Sequence, residues 1–234
     1  MNEAPPVPSP LGGIRACVFD AYGTLFDFAS AAASCADVLG DKAARLTTLW
    51  RDKQLQYAWL RSLQGRHADF WQVTGDALDF AMAAMGLADP ALRERLMGLY
   101  LTLAPFPDAA ETLRRLRAGG MRMAILSNGS PAMLTPVIKA AGWTALFDAV
   151  LSIEEAGIYK PHPSVYQLAV DRLGVEPNEI AFLSSNGWDA YAAAAFGLRA
   201  VWCNRYNQPP ERLPDTPERE IRSLAELPGM LGIS

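Results

Sequence analysis

The sequence predicts an α/β protein: a doubly wound (Rossmann-like) parallel sheet with an all-helical cap inserted after its first strand. Three observations predict it. Short apolar runs ending in small or polar residues alternate with helical patterns over residues 12–27 and 105–234. The stretch 28–104 breaks that alternation with helical pattern after helical pattern and no strand candidate. Acid, hydroxyl, amide and lysine side chains fall just after the strands, where an open parallel sheet gathers its ligand.

Taken in order, residues 1–11 (MNEAPPVPSPL) form a Pro-rich arm expected to be disordered. The first strand follows over 14–20. Helical patterns then run over 29–39, 43–63, 68–85 and 90–103, with turn signals at Gly40, Gly65 and Gly86. The joints of this cap (28–104) fall near Asp27 and at Pro105, Phe106 and Pro107, where proline ends a helix. Beyond them strands at 121–127, 149–152, 180–184 and 200–203 alternate with helices at 108–117, 131–141, 164–173 and 189–196. Gly119, Gly142, Gly174 and Gly197 stand at the expected helix stops.

Composition removes several function classes. The chain has 234 residues, half of them hydrophobic, enough for one sizeable core and a smaller domain. A net charge of -4 and a pI near 5.3, with no clustered cationic footprint, argue against a nucleic-acid partner. Cys17, Cys35 and Cys203 are too few and too scattered for a disulfide framework or a metal knuckle. The N-terminus lacks the basic and apolar regions of a signal peptide, and no stretch is long enough to span a bilayer. The expectation is a cytoplasmic protein with no membrane partner.

The strand ends carry the chemistry. Asp20 closes the first strand, and Gly23 and Thr24 supply a tight turn that can hold an anionic group. Taken alone, such an acid divides evenly between capping the next turn and catalysis. Ser127 and Asn128 close the second strand, Tyr159, Lys160 and Pro161 follow the third, and Ser184, Ser185, Asn186, Gly187, Trp188 and Asp189 follow the fourth. Each has a bland alternative as a helix cap or a solvated lysine. Their joint occurrence at four strand ends would converge them on one crevice.

That order resembles the four-motif pattern of the haloacid dehalogenase superfamily. The phosphatase branch of the superfamily carries a second Asp two places after the first, as general acid, and acids after the fourth strand that hold Mg2+. Here VFDAYGTLFD has Tyr22 in the first place, and the fourth strand ends in Ser-Ser-Asn. The segments DAYGTLFD, LWRDKQLQYAWLRSL, LSNGS, YKPHPSVY and SSNGWD together are similar to the L-2-haloacid dehalogenases, over nearly the whole chain beyond the arm.

The resemblance implies hydrolysis of short L-2-haloalkanoic acids to 2-hydroxy acids with inversion, through an ester on Asp20. It implies Thr24 as the supporting hydroxyl and Arg51 as the acceptor of the leaving halide. Ser127 and Asn128 would contact the substrate carboxylate, with Lys160 the cation beside the nucleophile and Tyr166 a tyrosine near it. Ser184, Asn186 and Asp189 would hold Lys160 and position the hydrolytic water. Tyr22, Leu55, Phe70 and Trp188 are expected to wall the pocket, although an aromatic or leucine stripe on a helix also serves as plain core. No metal and no cofactor are implied, the partners being the halogenated acid, the halide product and a second copy of the chain. Gly187 departs from the alanine that family members often carry. The alternatives are a Mg2+-dependent phosphatase of the same superfamily and a non-catalytic binding module.

Overall fold

The computed structural model describes residues 10–28 and 35–233. Strands β1 (Ala16–Phe19), β2 (Arg122–Ser127), β3 (Ala149–Ser152), β4 (Ile180–Ser184), β5 (Arg199–Cys203) and β6 (Arg219–Ile221) form one parallel sheet in the order β3-β2-β1-β4-β5-β6. Strand β1 lies inside it and is buried along its whole length, as is β4, because an all-apolar run suits a sheet covered on both faces. Phe19 pairs with Ile125 on one side and Leu183 on the other, so Asp20 leaves the sheet beside Ser184 and the end of β2. The strand order reverses between β1 and β4, and the crevice above that reversal is where such sheets bind their ligands.

Helices α1 (Ala36–Leu39), α2 (Ala43–Leu63), α3 (Phe70–Ala84) and α4 (Pro90–Leu99) follow β1 without an intervening strand. Helices α5 (Ala109–Ala118), α6 (Pro131–Ala140), α7 (Pro163–Leu173), α8 (Gly187–Phe196) and α9 (Leu227–Met230) alternate with or follow the remaining strands. Asp69 starts α3 by accepting from the N–H of Gln72, and Asp89 starts α4 by accepting from those of Ala91 and Leu92. The left-handed Gly174 and Gly197 end α7 and α8 as expected. At the Gly119-Gly120 pair the left-handed residue is Gly120.

Several expectations need correction. The helix expected over 90–103 stops at Leu99, where Tyr100 and Leu101 turn back onto Met97 and Gly98 in tighter, three-residue bonds. Of the helix expected over 29–39, residues 36–39 are helical, and 29–34 lie outside the described residues. Residues 1–9 of the arm also lie outside them, but Leu11 is buried and its N–H bonds Met230 O at 2.9 Å, so it belongs to the folded part. Strand β6 was not expected: its Arg-Glu-Ile sequence shows no apolar run, because a short edge strand carries charges that block further pairing.

The long helix α2 lies along α3. It buries Leu46, Trp50, Gln54 and Ala58, one residue every four, against α3, which buries Val73, Thr74, Ala77, Leu78 and Ala81. An apolar side chain such as Leu46 contributes about 1.5–3 kcal/mol in this position. Gln54 sits in the middle of that stripe with no exposed surface. The helical segment meets the sheet's crevice through the N–H of Tyr159 on Ser62 Oγ (3.2 Å), the Tyr159 hydroxyl on Ala68 O (2.5 Å) and the His67–Glu154 pair (2.8 Å). Among the described residues no helix is long and apolar enough to cross a membrane.

Candidate active site

The crevice is organised around one carboxylate. Gly23 adopts φ +87°, which lets the chain reverse after β1 and return Thr24 beneath Asp20. The Thr24 hydroxyl accepts the N–H of Ser185 (2.8 Å), so its only proton is free for Asp20 Oδ2, at 3.0 Å. Asn186 Nδ2 donates to the same oxygen at 2.9 Å, and Lys160 Nζ reaches Asp20 Oδ1 at 3.2 Å. Three donors from three strand ends therefore hold a carboxylate that is 6% exposed.

Lys160 is buried and shared. Its ammonium also donates to Asp189 Oδ2 at 2.8 Å and lies 5.0 Å from the centre of the Phe182 ring, while its backbone N–H is held by Asn128 Oδ1 at 3.1 Å. Burial pulls the Lys160 ammonium toward neutrality, but the carboxylates of Asp189 and Asp20 outweigh it and raise its pKa above the ordinary lysine value. Asp189, fully buried on the first turn of α8, is pushed above the usual carboxylate range by burial, with Asp20 adding to the push and Lys160 and the Tyr166 hydroxyl (2.8 Å from Oδ1) opposing it. Burial and then Asp189 raise the Tyr166 hydroxyl well above its ordinary value, so it keeps its proton and donates. The result is a carboxylate pair bridged by one ammonium, with one member poised to take a proton.

The helical segment adds a second cation. Arg51 on α2 donates from Nη1 to Gln54 Oε1 at 2.6 Å and from Nη2 to Asn186 Oδ1 at 3.3 Å, with its guanidinium 5.4 Å from the Phe28 ring centre. Asn186 thus joins Arg51 to Asp20 through its two amide ends. Tyr22 packs against Tyr100 (5.6 Å between ring centres) and Phe70 (6.4 Å). Burial, then Tyr100 and Asp20, push its phenol up, so it keeps its proton, and that buried hydroxyl has no hydrogen-bond partner.

Residues 14–197 match the haloacid dehalogenase-like hydrolase family. The chain belongs to that family. It is 48% identical over 219 residues to (S)-2-haloacid dehalogenase 1 of Pseudomonas sp. (strain CBS-3), an overlap of 93% of this chain and 96% of the relative. A crystal structure of a dehalogenase superposes with a TM-score of 0.92 at 46% identity, covering 95% of this chain and 99% of that one. The L-2-haloacid dehalogenase from Xanthobacter autotrophicus with chloropropionic acid covalently bound superposes with a TM-score of 0.87 at 37% identity, over 94% and 98% of the two chains. The protein is a hydrolase of this family.

Against the residues expected from the sequence, the structure brings Asp20, Thr24, Arg51, Lys160, Tyr166, Asn186 and Asp189 into one hydrogen-bonded cluster. Three others sit at the same strand ends but bond backbone: Ser127 Oγ accepts from Gly129 N–H, Asn128 from Lys160 N–H and Ser184 Oγ from Asn186 N–H. It is Asp189, not Ser184, that holds the Lys160 ammonium, and Asn186 holds Asp20 instead. Phe70 meets Tyr22, and Trp188 lines a cavity of about 840 Å³ with Lys160, Tyr166 and Trp59. Leu55 is half-buried on α2, outside the polar cluster. Sequence reasoning missed Gln54, Thr74 and Tyr100, buried polar side chains behind Arg51. The available signal was a polar residue on the apolar stripe of α2.

Proposed function

We propose that the protein hydrolyses short L-2-haloalkanoic acids to 2-hydroxy acids with inversion, through an ester on Asp20. The observation that carries this reading is a strand-end carboxylate held by Thr24, Asn186 and Lys160, with Arg51 tied to it through Asn186. Asp20 Oδ2 accepts two of the three bonds and Oδ1 only one, which makes Oδ1 the freer oxygen for attack. It forms a bond to C2 from the face opposite the halogen while the C2–halogen bond breaks and its electron pair leaves with the halide. Arg51, always charged and more weakly hydrated than a lysine, receives that halide.

Water then attacks the ester carbonyl of Asp20 and yields a proton to Asp189, whose raised pKa suits a general base. Thr24, Asn186 and Lys160 donate to the charge developing on the Asp20 oxygens. Collapse regenerates the carboxylate and expels the product alkoxide, which takes up the proton. The substrate carboxylate is assigned to the turn after β2, where Ser127 and Asn128 sit and the unpartnered Tyr22 hydroxyl lies against Gly129. Lys160 supplies the positive charge that a cation supplies in the phosphatases, and among the described residues no three acidic, His or Cys side chains converge as metal ligands.

Halide release from (S)- and (R)-2-chloropropionate tests the proposal. Release from the S substrate alone, giving R-lactate and persisting in excess EDTA, is the expected result. Hydrolysis of a phosphate ester that requires Mg2+ would move the assignment to the phosphatases. A homodimer accompanies the proposal by resemblance and a cytoplasmic location by the sequence expectation, and sedimentation checks the first.

A further inference from the structure

The buried amide of Gln54 has one hydrogen-bond pattern that leaves no group unpaired. Thr74 spends its hydroxyl proton on Phe70 O at 2.6 Å, so toward Gln54 it can only accept, and Gln54 Nε2 donates to it at 2.7 Å and to the Tyr100 hydroxyl at 3.3 Å. That polarity turns Oε1 toward Arg51, whose Nη1 it meets at 2.6 Å. A flipped amide would aim its N–H groups at the guanidinium and its oxygen at Thr74, whose only hydroxyl proton is already spent on Phe70 O. Trp50 Nε1 locks the same turn of α3 from the neighbouring position by donating to Thr74 O at 2.8 Å.

We infer that Gln54, oriented by Thr74 and Tyr100, is a positioning residue that sets the direction of the Arg51 guanidinium toward the leaving halide. One nitrogen of the guanidinium fork is anchored by Gln54 and the other by Asn186, so the fork is fixed between cap and core with N–H groups to spare for a halide. Gln54 itself is fully buried and touches no substrate; it acts through Arg51. The inference rests on the assignment of Arg51 as halide acceptor made above.

Gln54→Met keeps the length of the side chain and removes its bonds, and Thr74→Val removes the acceptor that orients it while leaving Gln54 in place. Three quantities are measured on both and on Arg51→Ala: single-turnover ester formation with chloro- and bromoacetate, the rate of ester hydrolysis, and inhibition by added bromide. Gln54→Met should slow ester formation by about tenfold, more for chloride than for bromide since the poorer leaving group needs the cation more, and weaken bromide inhibition by a similar factor. Ester hydrolysis should stay within about twofold, and Thr74→Val should show the same signature at smaller size. A merely structural glutamine would lower the melting temperature with equal losses for both halogens and unchanged bromide inhibition, which overturns the inference. If Gln54→Met does not fold, Thr74→Val decides by the same criteria. Retained bromide inhibition in Arg51→Ala would remove the halide role itself, and Gln54 with it; loss there but not in either neighbour overturns Gln54 alone.

Discussion

The strand-end crevice and the helical cap reach the same active centre in opposite ways. In the crevice each chemical group follows a strand of the sheet, Asp20 directly and the others on the loop or first helical turn beyond, and Asp20, Thr24, Lys160, Asn186 and Asp189 bind one another through distances of 2.8–3.2 Å. In the cap one side chain, Arg51, meets the crevice cluster at 3.3 Å, and its support is a buried amide one turn further along the same helix. Backbone topology places the first group; side-chain packing places the second. Damage to the crevice should therefore cost chemistry and folding together, whereas damage behind Arg51 should cost one chemical step.

The largest effect is expected at Lys160. Lys160→Met leaves Asp20 and Asp189 buried together without their shared ammonium, and breaking a buried ion pair costs about 3–5 kcal/mol. Activity should vanish and the midpoint of chemical unfolding should fall sharply. If stability is unchanged, the crevice is less interlocked than its geometry implies.

Arg51→Ala comes next and sharpens the contrast from the cap side. Loss of an electrostatic donor to a developing anion costs roughly 10²–10³ in turnover, while unfolding should barely move because Arg51 is half-buried. Arg51→Lys should restore little, since a point charge does not reproduce the fork held by Gln54 and Asn186. Lys53→Ala, whose side chain bonds Gln56 on the surface, should be mild. Equal damage from Lys53→Ala would mean the helix, not the guanidinium, matters.

The pH profile probes the crevice at finer scale. As a base Asp189 must be ionised, so ester hydrolysis should fall as pH drops through a pKa lying above the usual carboxylate range. For stability the sign is opposite: a carboxyl whose pKa is raised by folding favours the folded state at low pH and loses that contribution as pH rises through the folded value. Ester hydrolysis and unfolding, each followed against pH, check both. An acid limb at ordinary carboxylate pH, unmoved in Asp189→Asn, would exclude it as the base.

The smallest effect belongs to Tyr22→Phe. The buried Tyr22 hydroxyl is unpartnered, and such a group costs about 1–3 kcal/mol. Tyr22→Phe should leave the free enzyme as stable or slightly more so, and raise KM more than it lowers kcat if the hydroxyl meets the substrate carboxylate. Tyr22→Asp should lose dehalogenation without gaining phosphatase activity, because the acid is added beside Asp20 but not the metal ligands after β4.

The same contrast explains what the sequence disclosed. Strand-end groups were legible because period and punctuation reveal where a buried strand stops, and the residue after it is then placed by topology. The roles of Ser184 and Asn186 were less so, since two neighbouring polar residues on one loop point to different partners only once the loop is folded. Gln54 was hidden for a different reason: a glutamine in a helix shows its face by spacing from Leu46, Trp50 and Ala58, but not that Thr74 on α3 and Tyr100 in the turn after α4 would pair it. Gly187 is similar. A Cβ there would lie 2.7 Å from Glu211 Oε1, a neighbour remote in the chain that no local pattern reveals.

The central claim is that the carboxylate of Asp20 itself bonds to carbon, and a single turnover in H2(18)O with enzyme in excess tests it most directly. Direct attack places an unlabelled Asp20 oxygen in the hydroxy acid and leaves solvent label in the peptide that contains Asp20. Mass spectrometry of both should show label in the peptide and none in the first-turnover product. Label in that product, with Asp20 unlabelled, would mean that water attacks C2, and the ester account would be wrong.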